Sequence, residues 1–163
     1  MQSLWAPWRM EYILGEKPEG CIFCRFPAEQ RDCQNLVLGR TRHSFVMLNR
    51  FPYNNGHLMV IPRRHCCDLL AMPEEEFADL HALLRTSLVV LTRANSPEGL
   101  NVGMNLGKVA GAGIDEHLHY HLVPRWNGDT NFMPVIGETK VMVEPLDASW
   151  QRLRPAFDAA LGG

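Results

Sequence analysis

Short apolar runs separated by turn-forming residues dominate the first half of the chain. Runs at 36–38, 44–48 and 57–62 are bounded by Asn, Pro and Gly, which is typical of β-strands. The segment NRFPYNNG joins the second run to the third and predicts a β-hairpin. Two further strand-like segments follow, one at 100–105 and one that begins at His117 with the sequence HLHYHLVPRW.

The apolar spacing changes to three and four between residues 74 and 94, as on one face of a helix. The residues on that face are Phe77, Leu80, Leu84, Leu88 and Leu91. Pro73 and three glutamates suit the start of this helix, and Asn-Ser-Pro from residue 95 suits its end. One long helix among short, tightly connected strands predicts an α+β domain with an antiparallel sheet.

Length and composition favour one ordinary globular domain over residues 1–163. We expect an aromatic N-terminal arm over about 1–20 and a C-terminal extension over about 127–163. The formal net charge of −2 gives no general attraction to nucleic acid or anionic membranes, and neither is expected as a partner. No apolar stretch has the length of a membrane span, and five cysteines argue against a disulfide scaffold. These features predict a cytoplasmic protein.

Three of the seven histidines alternate with apolar residues at 117, 119 and 121. Alternate residues of a strand share one face, so the three imidazoles would line one side while the apolar residues enter the core. Solvated histidines on a polar strand face are one interpretation. A catalytic zinc site is a second, because His-X-His pairs bind zinc and Asp115 and Glu116 lie next to them.

The segment His117-Leu118-His119-Tyr120-His121-Leu122-Val123 resembles the signature of the histidine triad superfamily of nucleotide hydrolases and transferases. WAPWR, CIFC, FVMLNRFPYNNGHLMVIPRRH, NVGMNLGKVAGAGI and VPRWNGDTNFMPV are similar to its bacterial diadenosine tetraphosphate hydrolase and phosphorylase branch. The resemblance covers most of the chain. It implies a histidine triad fold, with about five strands and one main helix, whose sheet continues across a homodimer.

The resemblance implies that His119 attacks the α-phosphorus of a nucleotide and forms a nucleotidyl-histidine intermediate. A neutral imidazole is a competent nucleophile, and covalent catalysis divides one difficult displacement into two easier ones. The other ring nitrogen of His119 must then donate to an acceptor, and we expect a main-chain carbonyl. By the same resemblance, His121 and His57 contact the phosphate and stabilise the charge of the transition state.

The family resemblance also implies a set of substrate-binding positions. Asn49 matches a residue that binds ribose hydroxyls, and Asn105 matches an asparagine on the phosphate side. The phosphate-side loop contains Gly111, Ala112 and Gly113, where many relatives have Gln and Ser or Thr as partners of the leaving group. This departure leaves the donor to the leaving group unidentified. Trp126 follows the triad and is expected to flank the site, whereas Trp5 and Trp8 are more typical of core or dimer packing.

Cys21 and Cys24 have a spacing that is common in metal sites. The resemblance implies that they bind a structural zinc with His65 and His117 as the other two ligands. Cys66 and Cys67 follow His65 directly and are alternative thiolates. An alternative is that the pair are ordinary buried thiols, and Cys33 is expected to be a buried thiol.

These implications predict an enzyme that cleaves dinucleoside polyphosphates at the α-phosphate. Water is the expected acceptor, with inorganic phosphate as the alternative. A phosphoramidate hydrolase or nucleotidyl transferase remains possible within the superfamily, and a protein that binds adenine nucleotides without turnover is possible outside it.

Overall fold

The computed structural model describes residues 20–130 and 141–162 of the chain. The predicted N-terminal arm and part of the C-terminal extension lie outside these residues. Within them, five strands form one antiparallel sheet in the order β1-β2-β3-β5-β4. The strands are β1 (Val37–Arg40), β2 (Ser44–Leu48), β3 (Leu58–Pro62), β4 (Gly99–Met104) and β5 (Tyr120–Arg125). The predicted hairpin is confirmed, because β2 pairs with β3 along its whole length.

Four α-helices accompany the sheet in the described part of the chain. They are α1 (Ile22–Ala28), α2 (Asp32–Asn35), α3 (Glu74–Asn95) and α4 (Leu146–Leu161). A 3-10 turn spans Lys108–Ala110. The long helix α3 starts where it was predicted and ends one residue later. None of these helices is long and apolar enough to cross a membrane.

Both faces of the central strands are covered, so every residue of β2 and β3 is buried, and all but Ser44 are apolar. Val46 and Val60 face the core formed with α3 and α4. Phe45 and Ile61 face a second core that contains Phe23 of α1. The sheet therefore separates two apolar layers, and side chains on adjacent strand residues enter different layers.

Two sequence-based predictions about helices need correction. Phe77 was expected to face the core, but it is 40% exposed and its ring packs on His81. The buried face of α3 is rotated toward Leu83 and Val90, which face the sheet and α4. In addition, α4 is a second long helix where only an extension was expected. Its Leu153 and Phe157 are fully buried in the core.

A group of partly buried charges connects α4 to β1, the edge strand on which it packs. Asp32 of α2 accepts two hydrogen bonds from Arg40 of β1, at 2.7 and 2.6 Å, and one from Arg154 of α4 at 2.9 Å. The hydrogen bonds from Arg40 are the main reason that the pKa of Asp32 is lowered. Asp32 therefore stabilises the packing of α4 on β1.

Replacing Asp32 with Asn should lower the free energy of unfolding by about 1–3 kcal/mol at neutral pH, because two partly buried guanidinium groups lose their counterion. The pKa of Asp32 is lower in the folded state than in the unfolded state. Its contribution is therefore complete above the unfolded pKa and is lost as the pH falls through the folded value. Urea unfolding should thus show a large difference between wild type and variant near neutral pH and a small one in acid.

The exposed acid Glu116 provides a control. Glu116→Gln should change the unfolding free energy much less than Asp32→Asn. A difference between wild type and Asp32→Asn that stays constant from neutral to acid pH would contradict the electrostatic explanation.

Candidate active site and metal centre

The three histidines predicted to be catalytic lie together on the α1 side of the sheet. The ring centroids of His119 and His121 are 4.8 Å apart, and those of His57 and His121 are 5.1 Å apart. His57 and His119 are buried, at 0% and 5% exposure. The cluster is formed by residues at the start of β5 and by the loop that precedes β3.

The three triad histidines were expected to lie in one strand, but β5 begins only at Tyr120. His117 and His119 precede it, and the chain bends at His117. The predicted alternation nevertheless holds, because Leu118 and Leu122 are buried in the core with α3. On the other side, Phe23 of α1 packs against the rings of His117 and His119.

The hydrogen bonds of His119 determine its neutral tautomer. Its Nδ1 lies 2.9 Å from the main-chain carbonyl oxygen of His117. A carbonyl oxygen can only accept, so Nδ1 carries the proton and Nε2 has the free lone pair. Burial lowers the pKa of His119, against a smaller opposing effect of this hydrogen bond, and so favours the neutral ring. The expected main-chain acceptor for the proposed nucleophile is therefore present.

A second set of hydrogen bonds determines the tautomers of His57 and His121. The main-chain N–H of Tyr53 donates to Nδ1 of His57 at 3.0 Å, so Nε2 of His57 carries its proton. That Nε2 lies 3.0 Å from Nδ1 of His121 and donates to it. The proton of neutral His121 is therefore on Nε2. The ring of Tyr53 also stacks on His57, with centroids 5.1 Å apart and planes 17° apart.

A separate cluster brings together the four predicted metal ligands. Their ligand atoms, from Cys21, Cys24, His65 and His117, all lie within 4.8 Å of one another. Nδ1 of His117 is 3.2 Å from Sγ of Cys21 and 3.7 Å from Sγ of Cys24. Nδ1 of His65 is 3.4 Å from Sγ of Cys24. Ligand atoms around a tetrahedral zinc are about 3.3 to 3.8 Å apart, given the usual Zn–N and Zn–S lengths, and the three separations are close to that range.

The protonation of this cluster also suits a cation. Nε2 of His117 donates to the Pro62 carbonyl oxygen at 2.8 Å, so the lone pair is on Nδ1, which faces the thiols. Burial lowers the pKa of His117 to about 4, which keeps the ring neutral. Burial and the neighbouring Cys21 raise the pKa of Cys24 to about 11. A bound cation would reverse this last effect, because it stabilises thiolates.

The other cysteines of the described residues do not belong to this group of four ligands. Cys66 packs against the core on the α3 side. Its carbonyl oxygen accepts the N–H of Leu118 at 2.8 Å, which connects the loop carrying His65 to the triad segment. Cys33 was expected to be buried but is exposed.

The predicted phosphate-side loop lies on the histidine side of the sheet. Its Ile114 packs against the core that contains Phe23. Gly111 has φ of +88°, a conformation that favours glycine, and the side-chain amide of Asn105 lies close to it. Ala112 and Gly113 follow in the same loop. The loop therefore leads from the end of β4 toward His119.

Two other predicted binding residues have different positions. Asn49 is beside the histidines, since its main-chain N–H donates to the His57 carbonyl oxygen at 2.9 Å. Its Oδ1 accepts the N–H of Phe51, so its amide nitrogen is the group oriented to donate. Trp126 was expected to flank the site but lies roughly 16 Å from His121 along β5. Its indole nitrogen donates to the Ser96 carbonyl oxygen at the end of α3.

Comparison with known proteins identifies the family. The HIT domain, which is the histidine triad domain, matches residues 30–128. The chain belongs to the HIT domain family. The predicted α+β histidine triad fold and the prediction of an enzyme in the nucleotidyl hydrolase and transferase class are confirmed. The continuation of the sheet across a homodimer stays a prediction.

Three similar HIT proteins show the range of the family. An AP-4-A phosphorylase of Mycobacterium tuberculosis is 40% identical over 155 residues, which cover 90% of this chain and 79% of that protein. An adenosine 5'-monophosphoramidase of Schizosaccharomyces pombe is 33% identical over 107 residues, or 66% of this chain and 75% of that one. A Zn-bound histidine triad protein from Mycobacterium smegmatis has a TM-score of 0.68 and 26% identity, with 86% of this chain and 94% of that chain covered.

Proposed function

We propose that this HIT protein cleaves dinucleoside polyphosphates at an α-phosphate through a covalent nucleotidyl-His119 intermediate. The observation that carries the proposal is the hydrogen bond from Nδ1 of His119 to the His117 carbonyl oxygen, which leaves the lone pair on Nε2. Binding of a nucleotide alone does not require a nucleophile in this tautomer.

In the proposed first step, Nε2 of His119 attacks the α-phosphorus. A P–N bond forms, and the P–O bond to the remaining nucleotide breaks, with its electron pair leaving on the oxygen. The proton on Nδ1 stays with the ring, held by the His117 carbonyl oxygen. His121, with its proton on Nε2, donates to a phosphate oxygen and stabilises the charge that develops there.

The chemistry of the leaving group distinguishes cleavage of a polyphosphate from cleavage of a phosphoramidate, two reactions of the superfamily. A nucleoside polyphosphate leaves as an anion whose terminal phosphate has a pKa near 6, so it needs no proton at neutral pH. The amine of a phosphoramidate must receive one. Ala112 and Gly113 have no side-chain donor in the loop where many relatives have one. This chemistry favours a polyphosphate substrate over a phosphoramidate.

In the second step an acceptor oxygen attacks phosphorus and breaks the P–N bond, which regenerates His119. Water was the acceptor expected from the sequence. The similarity to a protein named AP-4-A phosphorylase supports inorganic phosphate instead, and we propose phosphorolysis. Phosphate attack gives a nucleoside diphosphate, whereas water gives a monophosphate.

We also propose that Cys21, Cys24, His65 and His117 bind one zinc ion. The separations of the ligand atoms and the similarity to a Zn-bound relative support this proposal. When bound, zinc would act as a structural ion, because four protein ligands leave no open position for water. It would orient His117, whose carbonyl oxygen in turn orients His119. The alternative of zinc-catalysed hydrolysis is therefore not favoured.

Replacing His119 with Ala should abolish cleavage of diadenosine tetraphosphate while nucleotide binding survives, since Asn49 and the phosphate-side loop remain. His121→Ala should reduce the rate by about 10² to 10³, as for loss of one oxyanion donor. His57→Ala should also reduce the rate, because His57 donates to His121 and so orients that donor. Chromatography of the products and calorimetric titration with a non-hydrolysable analogue test these outcomes. A rate for His119→Ala within tenfold of wild type would exclude His119 as nucleophile.

The acceptor can be identified by incubating diadenosine tetraphosphate with and without millimolar phosphate. Phosphorolysis gives ADP and ATP only when phosphate is present, and hydrolysis gives AMP and ATP in both samples. We expect strict dependence on phosphate. Equal amounts of AMP in both samples would replace phosphorolysis with hydrolysis and leave the first step unchanged.

Elemental analysis should find one zinc per chain. The double change Cys21→Ser and Cys24→Ser should remove the metal and lower the Tm, because metal-binding free energy contributes to folding. Cys33→Ser is the matched control, since Cys33 is a cysteine outside the cluster. Full zinc occupancy in the double variant would exclude the proposed ligands.

A further inference from the structure

We propose that Asp129, acting through Asn54, is a positioning residue that holds His57 and thereby determines which nitrogen of His121 carries its proton. The catalytic consequence rests on the proposed function, whereas the effect on the histidine tautomers does not.

Asp129 has an unusual number of hydrogen-bond donors around one carboxylate. Its side chain is 9% exposed and forms an ion pair with Arg125, at 2.6 Å from Nε and 3.0 Å from Nη2. It also accepts from the N–H of Trp126 at 3.2 Å, from the Thr130 hydroxyl at 3.3 Å and from Nδ2 of Asn54 at 2.9 Å. The hydrogen bonds from Arg125 are the largest of the effects that lower the pKa of Asp129 to about 2. The group is thus a carboxylate at any ordinary pH.

Asn54 carries this constraint to the histidines. Its side chain is buried, and Nδ2 donates both to Asp129 and to the Pro124 carbonyl oxygen at 3.0 Å. Its own main-chain carbonyl oxygen accepts the N–H of His57 at 3.1 Å. Asn54 therefore connects the loop before β3 to the far end of β5, and the same residue holds the backbone of His57.

The fixed loop also sets the tautomer of His57. Tyr53 precedes Asn54, and its N–H donates to Nδ1 of His57. If the loop shifts, this hydrogen bond weakens, and His57 can then place its proton on Nδ1. In that form Nε2 no longer donates to Nδ1 of His121. His121 would then lose the bond that keeps its own proton on Nε2, the nitrogen proposed to face the phosphate.

The chemistry at position 129 requires a carboxylate rather than an amide. Both oxygens of a carboxylate only accept hydrogen bonds, which suits a group surrounded by two guanidinium N–H groups and three neutral donors. An amide has one oxygen, and its NH₂ group would face Arg125 or Asn54, which are themselves donors. The substitution Asp129→Asn therefore keeps the shape and removes the function.

The test compares Asp129→Asn with Asp158→Asn. The control is well matched because Asp158 also pairs with an arginine four residues away, at 2.7 Å from Arg154 on α4. Imidazole ¹⁵N NMR reports which ring nitrogen is protonated. We expect His57 and His121 to be protonated on Nε2 in wild type and in the control, and to become mixtures of both tautomers in Asp129→Asn.

The kinetic arm measures cleavage of diadenosine tetraphosphate. We expect kcat to fall about 10- to 100-fold in Asp129→Asn, with KM within about threefold of wild type, as for loss of a group that orients a functional histidine. Asn54→Ala should have a similar effect. The double variant should lose no more than either single variant, because both changes remove the same constraint.

The outcomes separate the two proposals. If wild type does not cleave the substrate, the proposed function fails, while the NMR comparison still decides whether Asp129 controls the tautomers. Unchanged tautomers and unchanged kcat in Asp129→Asn would overturn the inference. A fall in kcat with unchanged tautomers would also overturn it, since the loss would then have a different cause. If Asp129→Asn does not fold, Asn54→Ala provides the same NMR comparison.

Discussion

The hydrogen bond from Nδ1 of His119 to the carbonyl oxygen of His117 connects the two parts of this site. The ring of His117 is one of the four proposed zinc ligands, and its carbonyl oxygen accepts the hydrogen bond from the ring of His119. Its ring is itself oriented by the carbonyl oxygen of Pro62, at the end of β3. A change in any of these groups would therefore alter the orientation of the nitrogen proposed to attack phosphorus. Through this coupling, a zinc ion bound by the four proposed ligands would influence the proposed reaction without contacting the substrate.

The arrangement depends on a sheet with apolar layers on both sides. Leu118 and Leu122 anchor the triad segment in the core shared with α3, and this anchorage leaves the histidines on the α1 side. Phe23 packs against two of those rings and removes them from water. Burial of the histidines thus results from the same alternation that builds the core. Neutral rings with defined tautomers are the chemical consequence, because desolvation disfavours the charged imidazole.

The pattern of apolar and turn-forming residues predicts the elements of the fold that depend on residues close in sequence. The hairpin of β2 and β3 and the start of α3 follow from runs, spacing and turn residues, and the structure places them as predicted. Helix α4 was not predicted. Leu153 and Phe157 have the spacing of one helical face, but Pro155 between them disfavours a helix. Tertiary packing on β1 and α3 outweighs that preference.

The candidate site shows the same division between local and long-range information. The positions of His57, His119 and His121 were implied by resemblance, and the structure brings them together. The roles of Tyr53 and Asn54 were not foreseen, since the relevant contact of Asn54 is with a residue 75 positions later. Trp126 was placed near the triad by its proximity in sequence. Because an extended strand rises about 3.3 Å per residue, residues several positions apart along it are not close in space.

The two histidines proposed to act on the phosphate are therefore oriented from opposite ends of β5. The Pro62 carbonyl oxygen orients His117, one of the four proposed zinc ligands, and the carbonyl oxygen of His117 orients His119 near the start of the strand. Asp129 and Asn54 act on His57, and through it on His121, from beyond its end. Each route ends in a hydrogen bond that fixes one proton on one ring nitrogen. A neutral imidazole in water exchanges freely between its two tautomers. The two separate sets of hydrogen bonds would prevent this exchange at His119 and at His121. His119 could then act as nucleophile and His121 as donor, although the two rings are adjacent.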